Sequence, residues 1–389
     1  MPELPEVETI ARDLRGLVTG SRVAGARSNW PRTLRSHDPE EFAAAVSGRE
    51  IEGVGRRGKQ LLIWVGPKGG AAPEREPGAA VAVGASAAGP AVLTVHLKMT
   101  GQLFVVPAGT PQDRHVHLVL ELSDGRELRF RDMRKFGRIG LYRRDPATGL
   151  PVDGEAAGVL AAGPEPLADE FTAAHFVALL SRRRGRLKTL LLNQDFVAGV
   201  GNIYADEALW RARLHPLRDA HTVRPEEARR LYTALRDVLA EAVERRGSSV
   251  DDYTAPEGDG SMQEHLDVYQ RAGEPCNRCG RPIRRMVVGG RSTHFCAWCQ
   301  RLPGTRREIA SDRGGDASAG QGAGAAKATA TATRRGPRWN ELPGDCVLGR
   351  SPAEEALAAE KAAARARRVA ATRKAAATRR AAARAGGSA

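Results

Sequence analysis

The sequence predicts an α+β chain: an N-terminal helix, an antiparallel β-sandwich, a helical bundle, a small cysteine-bearing hairpin and a disordered basic tail. Three observations carry that order. Short apolar runs of strand character crowd residues 20–144, the apolar period becomes helical after Pro151, and four of the five cysteines lie between Cys276 and Cys299. With 389 residues, 41% of them hydrophobic, the chain is long enough for two cores. No run approaches the roughly 18 apolar residues of a membrane span, and acids follow Met1-Pro2 where a signal peptide carries basic residues, so a cytosolic protein is expected.

The elements follow in chain order. Val7, Ile10, Leu14, Leu17 and Val18 recur at helical spacing, with prolines at 2 and 5 near the start and Gly20 beyond the end. Gln60–Val65, Ala91–Leu97, His117–Leu122 and Glu127–Phe130 read as strands, the last two joined by an Asp124-Gly125 turn. Between the first two, Gly, Pro and Ala fill 18 of the 25 positions from Gly66 to Pro90, the composition of a flexible insertion. Phe176–Leu180, Leu187–Leu192, Ala205–Leu214 and Pro225–Glu244 carry the helical period. From Ser311 the composition turns to Gly, Ala, Ser, Thr and Arg, too poor in apolar residues to fold alone. Residues 301–389 hold 18 Arg and Lys against 8 Asp and Glu, which is +10 of the net +14. That tail is either a solubilising extension or a segment whose last part, Ser351–Ala383, becomes helical on an anion.

The strongest local signal is Cys276-x2-Cys279-x16-Cys296-x2-Cys299, two CxxC pairs that a β-hairpin can fold around one tetrahedral zinc. Four thiolates complete the shell, so such a zinc is structural. Redox chemistry needs a single CxxC at a helix start instead. Arg281, Arg284, Arg285 and Arg291 lie between the pairs and suit a nucleic-acid groove; Cys346 has no CxxC partner and reads as a free thiol. If Met1 is removed, Pro2 presents a secondary amine of reference pKa about 7.7–8, able to form an iminium with a sugar C1′, and Glu3 and Glu6 follow as acid or base. By composition alone the same residues are ordinary helix-start choices. Gly199-Val200-Gly201-Asn202 is either a tight helix connection or a set of backbone amides facing a phosphate.

Seven motifs appear in one order: Pro2-Glu3-Leu4-Pro5-Glu6-Val7-Glu8-Thr9, Gly58-Lys59, His96-Leu97-Lys98-Met99-Thr100-Gly101, Arg131-Asp132-Met133-Arg134-Lys135-Phe136-Gly137, Gly163-Pro164-Glu165-Pro166-Leu167, Gly199 to Glu207, and the four-cysteine hairpin. Over residues 2 to about 301, apart from the insertion, the chain resembles the bacterial formamidopyrimidine-DNA glycosylase family. The resemblance implies a bifunctional DNA glycosylase and abasic-site lyase acting as a monomer on double-stranded DNA with oxidised purines. It implies a catalytic sandwich over 2–150, a helix-two-turns-helix domain over 151–265, a four-cysteine zinc finger over 266–302 and a tail over 303–389.

Carried over by motif, Pro2 is the nucleophile, Glu3 the proton donor to the leaving base, Lys59 the proton donor in β-elimination and Arg291 the arginine of δ-elimination. Lys59 is one of only eight lysines among 60 basic residues. His115, Arg134 and Arg183, from the Arg182–Arg186 run, match DNA-contacting positions, and Lys188 and Asn202 match phosphate ligands. Met99, Arg134 and Phe136 match the residues that fill the void left by an extruded nucleotide. Asp252–Gln263 aligns with the loop that caps the base. Leu4, Met99, Arg134 and Phe136 side with the oxidised-purine branch over endonuclease VIII, which acts on oxidised pyrimidines. A damaged-DNA-binding protein without turnover is a further alternative, and a zinc protein of RNA or the ribosome explains the charge but not the N-terminal motif. The tail is expected to add phosphate contacts, at the nucleoid of a bacterial cytoplasm.

Overall fold

The structure, a computed structural model, describes residues 2–68, 89–152, 162–248 and 260–303. Most of the 66–90 insertion, most of the base-capping loop, Cys346 and the whole 304–389 tail lie outside these residues.

The first helix, α1 (Leu4–Val18), buries Val7, Ile10, Ala11, Leu14 and Val18 as its 3.6-residue period requires. It is followed by β1 (Val23–Ser28), α2 (Pro39–Val46), β2 (Ile51–Arg57), β3 (Gln60–Val65), β4 (Ala91–His96), β5 (Gly101–Pro107), β6 (Val116–Leu122), β7 (Arg126–Asp132) and β8 (Arg138–Arg143). Two four-stranded antiparallel sheets result, in the orders β1-β6-β7-β5 and β2-β3-β4-β8. Their facing sides close one core with α1: Leu61, Ile63 and Val65 of β3 and Leu93 and Val95 of β4 point inward. Leu62 and Val92 pack with Tyr142 on the outer side, so these strands are apolar on both faces and read as unbroken runs. The Asp124-Gly125 turn sits between β6 and β7 as expected, with Gly125 at φ +82°.

Helix α2 has no counterpart among the expected elements, although its signal is legible. Asp38 accepts the N–H groups of Glu40 and Glu41, and Pro39 opens the first turn. Strands β1, β2, β5 and β8 also lie outside the expected elements; β1 carries glycine and arginine inside it and β8 a glycine inside with arginine at both ends, which dilutes the strand pattern.

The helical half comprises α3 (Ala173–Ser181), α4 (Leu187–Leu192), α5 (Asn202–Arg211) and α6 (Pro225–Glu244), around a core that includes Phe176, Leu191, Phe196, Tyr204, Leu231 and Leu239. Helix α5 starts and ends three residues earlier than the apolar pattern suggests, because Gly201 caps it at the end of the glycine turn. Helix α1 packs on β2, β3 and β5 on one side and α6 on the other, joining the two halves. The hairpin of β9 (Arg284–Val288) and β10 (Arg291–Phe295) lies against α5.

The root of the insertion is held from the inside. Strands β3 and β4 pair through Val65 and Ala91, and the buried Arg49 guanidinium donates to the carbonyls of Gly66 and Gly89 at 2.7 and 2.6 Å. Replacing 69–88 by a short turn is therefore expected to shift the melting temperature by no more than about 3 °C, since shortening a closed loop changes its entropy little. Calorimetry of the deleted chain checks this; a loss of cooperative melting would show that the insertion supports the sandwich.

Candidate functional site

The N-terminal residues dock on the connection between α4 and α5. Pro2 is buried, and the Leu4 N–H donates to the Gly199 carbonyl at 3.0 Å. The buried Glu3 carboxylate accepts the N–H of Ile203 at 2.9 Å and of Tyr204 at 3.5 Å, so the free amides at the start of α5 face this carboxylate. The phosphate reading of the glycine turn is thereby corrected: the anion at that helix terminus is the chain's own Glu3, favoured there by the unpaired N–H groups and the helix dipole. Glycine is required by contact at both turn positions. A Cβ on Gly201 would lie 2.3 Å from the Glu3 carboxyl carbon, and one on Gly199, at φ +81°, 2.7 Å from Leu4.

Glu6, one turn on, is also buried. It accepts the Glu3 N–H at 2.8 Å, the Tyr204 hydroxyl at 2.6 Å and the Ser248 N–H at 2.8 Å. Burial, reinforced by the neighbouring Glu3 charge, raises its pKa despite these three donors.

Lys59 reaches the same junction through the β2–β3 turn. Gly58, at φ +56°, sits where a Cβ would touch Ala198 and Gly199, and its N–H donates to Glu165 at 2.5 Å. The Glu165 carboxylate also accepts Arg56 at 2.6 Å and Arg57 at 2.9 Å, and its pKa is lowered although burial alone would raise it. Glu165 thus ties the lysine turn to the helical half. In the sequence it stands only as part of a motif, since nothing local links it to an arginine 108 positions earlier. The partly buried Lys59 ammonium lies below the ordinary lysine range. Burial is the main cause, the Glu3 and Glu6 charges oppose it, and Arg291 pushes further down. His96, also unassigned from sequence, is held down to about 3 by burial and by Lys98, Lys59 and Arg138, and so is neutral; it lines a cleft with Arg35, Gln60, Lys98 and Arg138.

Met99, Arg134 and Phe136 stand on two neighbouring loops organised by one buried carboxylate. Asp132 accepts the Thr100 hydroxyl at 2.5 Å, the Arg134 N–H at 3.2 Å and the Gly137 N–H at 2.7 Å. Lys98 and Lys135 take left-handed backbone at φ +56° and +57°, a strain of about 1 kcal/mol or more each that the surrounding bonds must hold. Met99 is 38% exposed, Phe136 50% and the unanticipated Met133 40%, and the Arg134 guanidinium lies 5.1 Å from the Phe136 ring. Lys135 stacks on Trp30 at 3.9 Å. His115 is partly exposed at the entry to β6 and its N–H donates to Asp113; Arg183 is exposed between α3 and α4.

Lys188 is placed otherwise than expected. Its side chain is fully buried, with the ammonium on Asp206 Oδ1 at 2.7 Å and the Asn202 carbonyl at 2.8 Å. A direct phosphate contact is corrected, because both acceptors already hold the charge inside the fold. The Asn202 side-chain amide donates to the Ser292 carbonyl of the hairpin, and its buried Oδ1 has no partner.

Arg291 is exposed at the start of β10. Of the other hairpin arginines, Arg281 stacks 3.7 Å from the Trp298 ring and Arg285 donates to the Ser292 hydroxyl. The four cysteine sulfurs lie within 4.8 Å of one another, with Cys276–Cys299 at 4.0 Å and Cys279–Cys296 at 3.5 Å. Zn–S bonds of about 2.3 Å in a tetrahedron require sulfur–sulfur edges of about 3.8 Å, so this donor set fits zinc.

Comparison with known proteins converges on this arrangement. Sequence profiles match in order: the formamidopyrimidine-DNA glycosylase N-terminal domain over residues 1–139, the formamidopyrimidine-DNA glycosylase H2TH domain over 162–254, and a zinc finger found in FPG and IleRS over 273–302. A formamidopyrimidine-DNA glycosylase of Herpetosiphon aurantiacus is 45% identical over 302 residues, 77% of this chain and 100% of that protein. The crystal structure of the MutM (Fpg) protein of Thermus thermophilus is 43% identical, with a TM-score of 0.63 over 77% of this chain and 98% of that one. The wild-type Lactococcus lactis Fpg in complex with DNA containing N7-benzyl-Fapy-dG is 31% identical, with a TM-score of 0.65 over 77% of this chain and 100% of that one. Relatives matched along essentially their whole length, and three profiles falling in order on the sandwich, the helices and the cysteine hairpin, leave one conclusion: the chain belongs to the formamidopyrimidine-DNA glycosylase family.

Proposed function

We propose that this DNA glycosylase of base excision repair removes oxidised purines, 8-oxoguanine opposite cytosine and formamidopyrimidines, through a Schiff base on Pro2 followed by β- and δ-elimination. The reading rests on one observation above all. Glu3, adjacent to Pro2, is fixed by the first amides of α5, and the same connection receives Leu4 and Gly58, so an amine, a carboxyl group and Lys59 converge on one junction.

With Met1 removed, the Pro2 nitrogen attacks C1′, the C1′–N bond breaks and the base leaves with the bonding pair and a proton from Glu3. The C1′–O4′ bond then opens, the Pro2 N–H proton passing to O4′, and the resulting iminium acidifies C2′. Loss of the C2′ proton breaks the C3′–O bond and expels the 3′ phosphate, with Lys59 as proton donor. A second elimination, assigned to Arg291, breaks the C5′–O bond and leaves a one-nucleotide gap with phosphate at both ends. A lesion must leave the duplex to reach Pro2, at a cost of a few kcal/mol of unstacking. Met99 and Phe136 supply apolar surface for the vacated space and Arg134 a donor for the orphaned base; His115, Arg183, Asn202 and the His96 cleft meet phosphates. The zinc is structural and holds the hairpin that carries Arg291. The division into 2–150, 151–265, 266–302 and 303–389, a monomeric state, extra DNA contacts by the tail and a place at the nucleoid in the cytoplasm complete the proposal.

Borohydride trapping on duplexes with 8-oxoguanine opposite cytosine, dihydrothymine or no lesion tests it. A covalent adduct favouring 8-oxoguanine is expected; preference for dihydrothymine transfers the chain to the endonuclease VIII reading, and binding without any adduct leaves a damaged-DNA-binding protein. A pH profile tests Lys59 separately. A positive neighbour disfavours an ammonium, so Arg291→Ala raises the Lys59 pKa and moves the alkaline limb of β-elimination, where the ammonium is lost, to higher pH. Rates on an abasic-site duplex measure this, and a limb that stays in place would detach Lys59 from that step.

A further inference from the structure

Four side chains of α5 bond to the cysteine-bearing segment: Asn202 donates to the Ser292 carbonyl, Asp206 accepts the His294 N–H at 2.9 Å, Glu207 accepts the N–H groups of Asp267, Val268 and Tyr269 at 2.8–2.9 Å, and Trp210 donates to Cys276 Sγ at 3.4 Å. Asn202, Asp206 and Trp210 are four apart and so share one helix stripe. The amino end of the same helix holds Glu3. One rigid element therefore touches both the proton donor beside Pro2 and the strand that begins at Arg291, three residues before His294.

We infer that Asp206 is a positioning residue for δ-elimination, holding β10 by the His294 N–H so that Arg291 meets the sugar bound to Pro2. Asp206 is buried and divides its oxygens: Oδ1 takes the Lys188 ammonium, while Oδ2 takes the His294 N–H and lies 3.4 Å from its Nδ1, with the Tyr269 ring edge-on to the imidazole at 5.1 Å. Lys188 is then the buried counter-charge that lets an ionised carboxylate remain inside, and its motif position is explained without a phosphate. The Arg291 side chain is exposed, so its reach to the sugar depends on where β10 is held. Misplacement by about 1 Å costs as much as 10²-fold in a step that depends on geometry.

The inference rests on the assignment of Arg291, and the experiment separates the two. Asp206 alone cannot be removed cleanly, since an unpaired buried Lys188 destabilises the fold. Two double variants avoid this: Lys188→Met with Asp206→Asn keeps an acceptor for the His294 N–H, and Lys188→Met with Asp206→Ala does not. Both are assayed in the full zinc-loaded chain on an abasic-site duplex for zinc content, borohydride trapping and the ratio of δ- to β-elimination product. Trapping and zinc should match the native chain in both. The ratio should hold in the Asn variant and fall about tenfold or more in the Ala variant, as expected for a misplaced group. Equal ratios in the two variants, or trapping that falls in step with the ratio, overturn the proposal. Arg291→Ala is run alongside. If it leaves the ratio unmoved, the Arg291 assignment fails and takes the inference with it; if it lowers the ratio while the Ala variant does not, only the inference fails.

Discussion

Glu3→Gln is expected to slow release of 8-oxoguanine by about 10²–10⁴-fold, the range for loss of a positioned acid or base. Elimination on a preformed abasic site should fall far less, because the Pro2 amine is untouched and no base has to leave. The substitution is conservative for the fold: a glutamine carbonyl still accepts an N–H from Ile203 or Tyr204. Gly201→Ala supplies the converse test. Its Cβ would sit 2.3 Å from the Glu3 carboxyl carbon, so the carboxylate must move while remaining chemically intact. Gly201 has φ −128°, an extended backbone that alanine adopts, which leaves the collision as the cause. Single-turnover base release and abasic-site cleavage, measured in parallel, should show the same selective loss in both variants. Native base release in Glu3→Gln would reject the proton-donor role, and native release in Gly201→Ala would show that the position of the carboxylate is unimportant.

Removing zinc should have an effect of comparable size by a different route. The local apolar cluster around the metal site contains Trp210, Val268, Cys276, Ile283 and Cys296, of which two are ligands. That is too little apolar surface to order the hairpin, whereas structural zinc contributes apparent folding free energies of about 10–16 kcal/mol in small zinc fingers. The sandwich and the helical half have separate, larger cores. Chelation is therefore expected to abolish hydrogen-exchange protection across Arg284–Phe295 and nearly all DNA cleavage, while a cooperative melting transition persists for the rest. Zinc release, exchange mass spectrometry and calorimetry on one chelator series report this. A metal-free chain that retains hairpin protection would show that α5 alone holds β9 and β10.

Local pattern reached far in this chain. Gln60–Val65, Leu187–Leu192 and Pro225–Glu244 have the bounds that their apolar residues imply, because each is a run whose period is set by burial within a few turns or pleats. The cysteine spacing likewise describes a metal site, since ligands close in sequence on one hairpin are close in space. Short or mixed elements escaped: α2 is eight residues long, and β1 has glycine and arginine inside it.

By itself the sequence determined the helical and strand periods and the zinc ligands, and through its resemblance to a known family it put forward Pro2, Glu3, Lys59 and Arg291 as the reactive groups. Only the tertiary structure decided how those groups are partnered. That Glu3 caps a helix 200 residues away, that Glu165 draws two arginines and the Gly58 N–H to the junction, and that Lys188 is buried on Asp206 instead of facing solvent are long-range facts. The physical reason is that periodicity records which side of an element is buried. The fate of a charge depends on which partner the fold brings within hydrogen-bond reach once water is excluded, and no local pattern encodes that pairing.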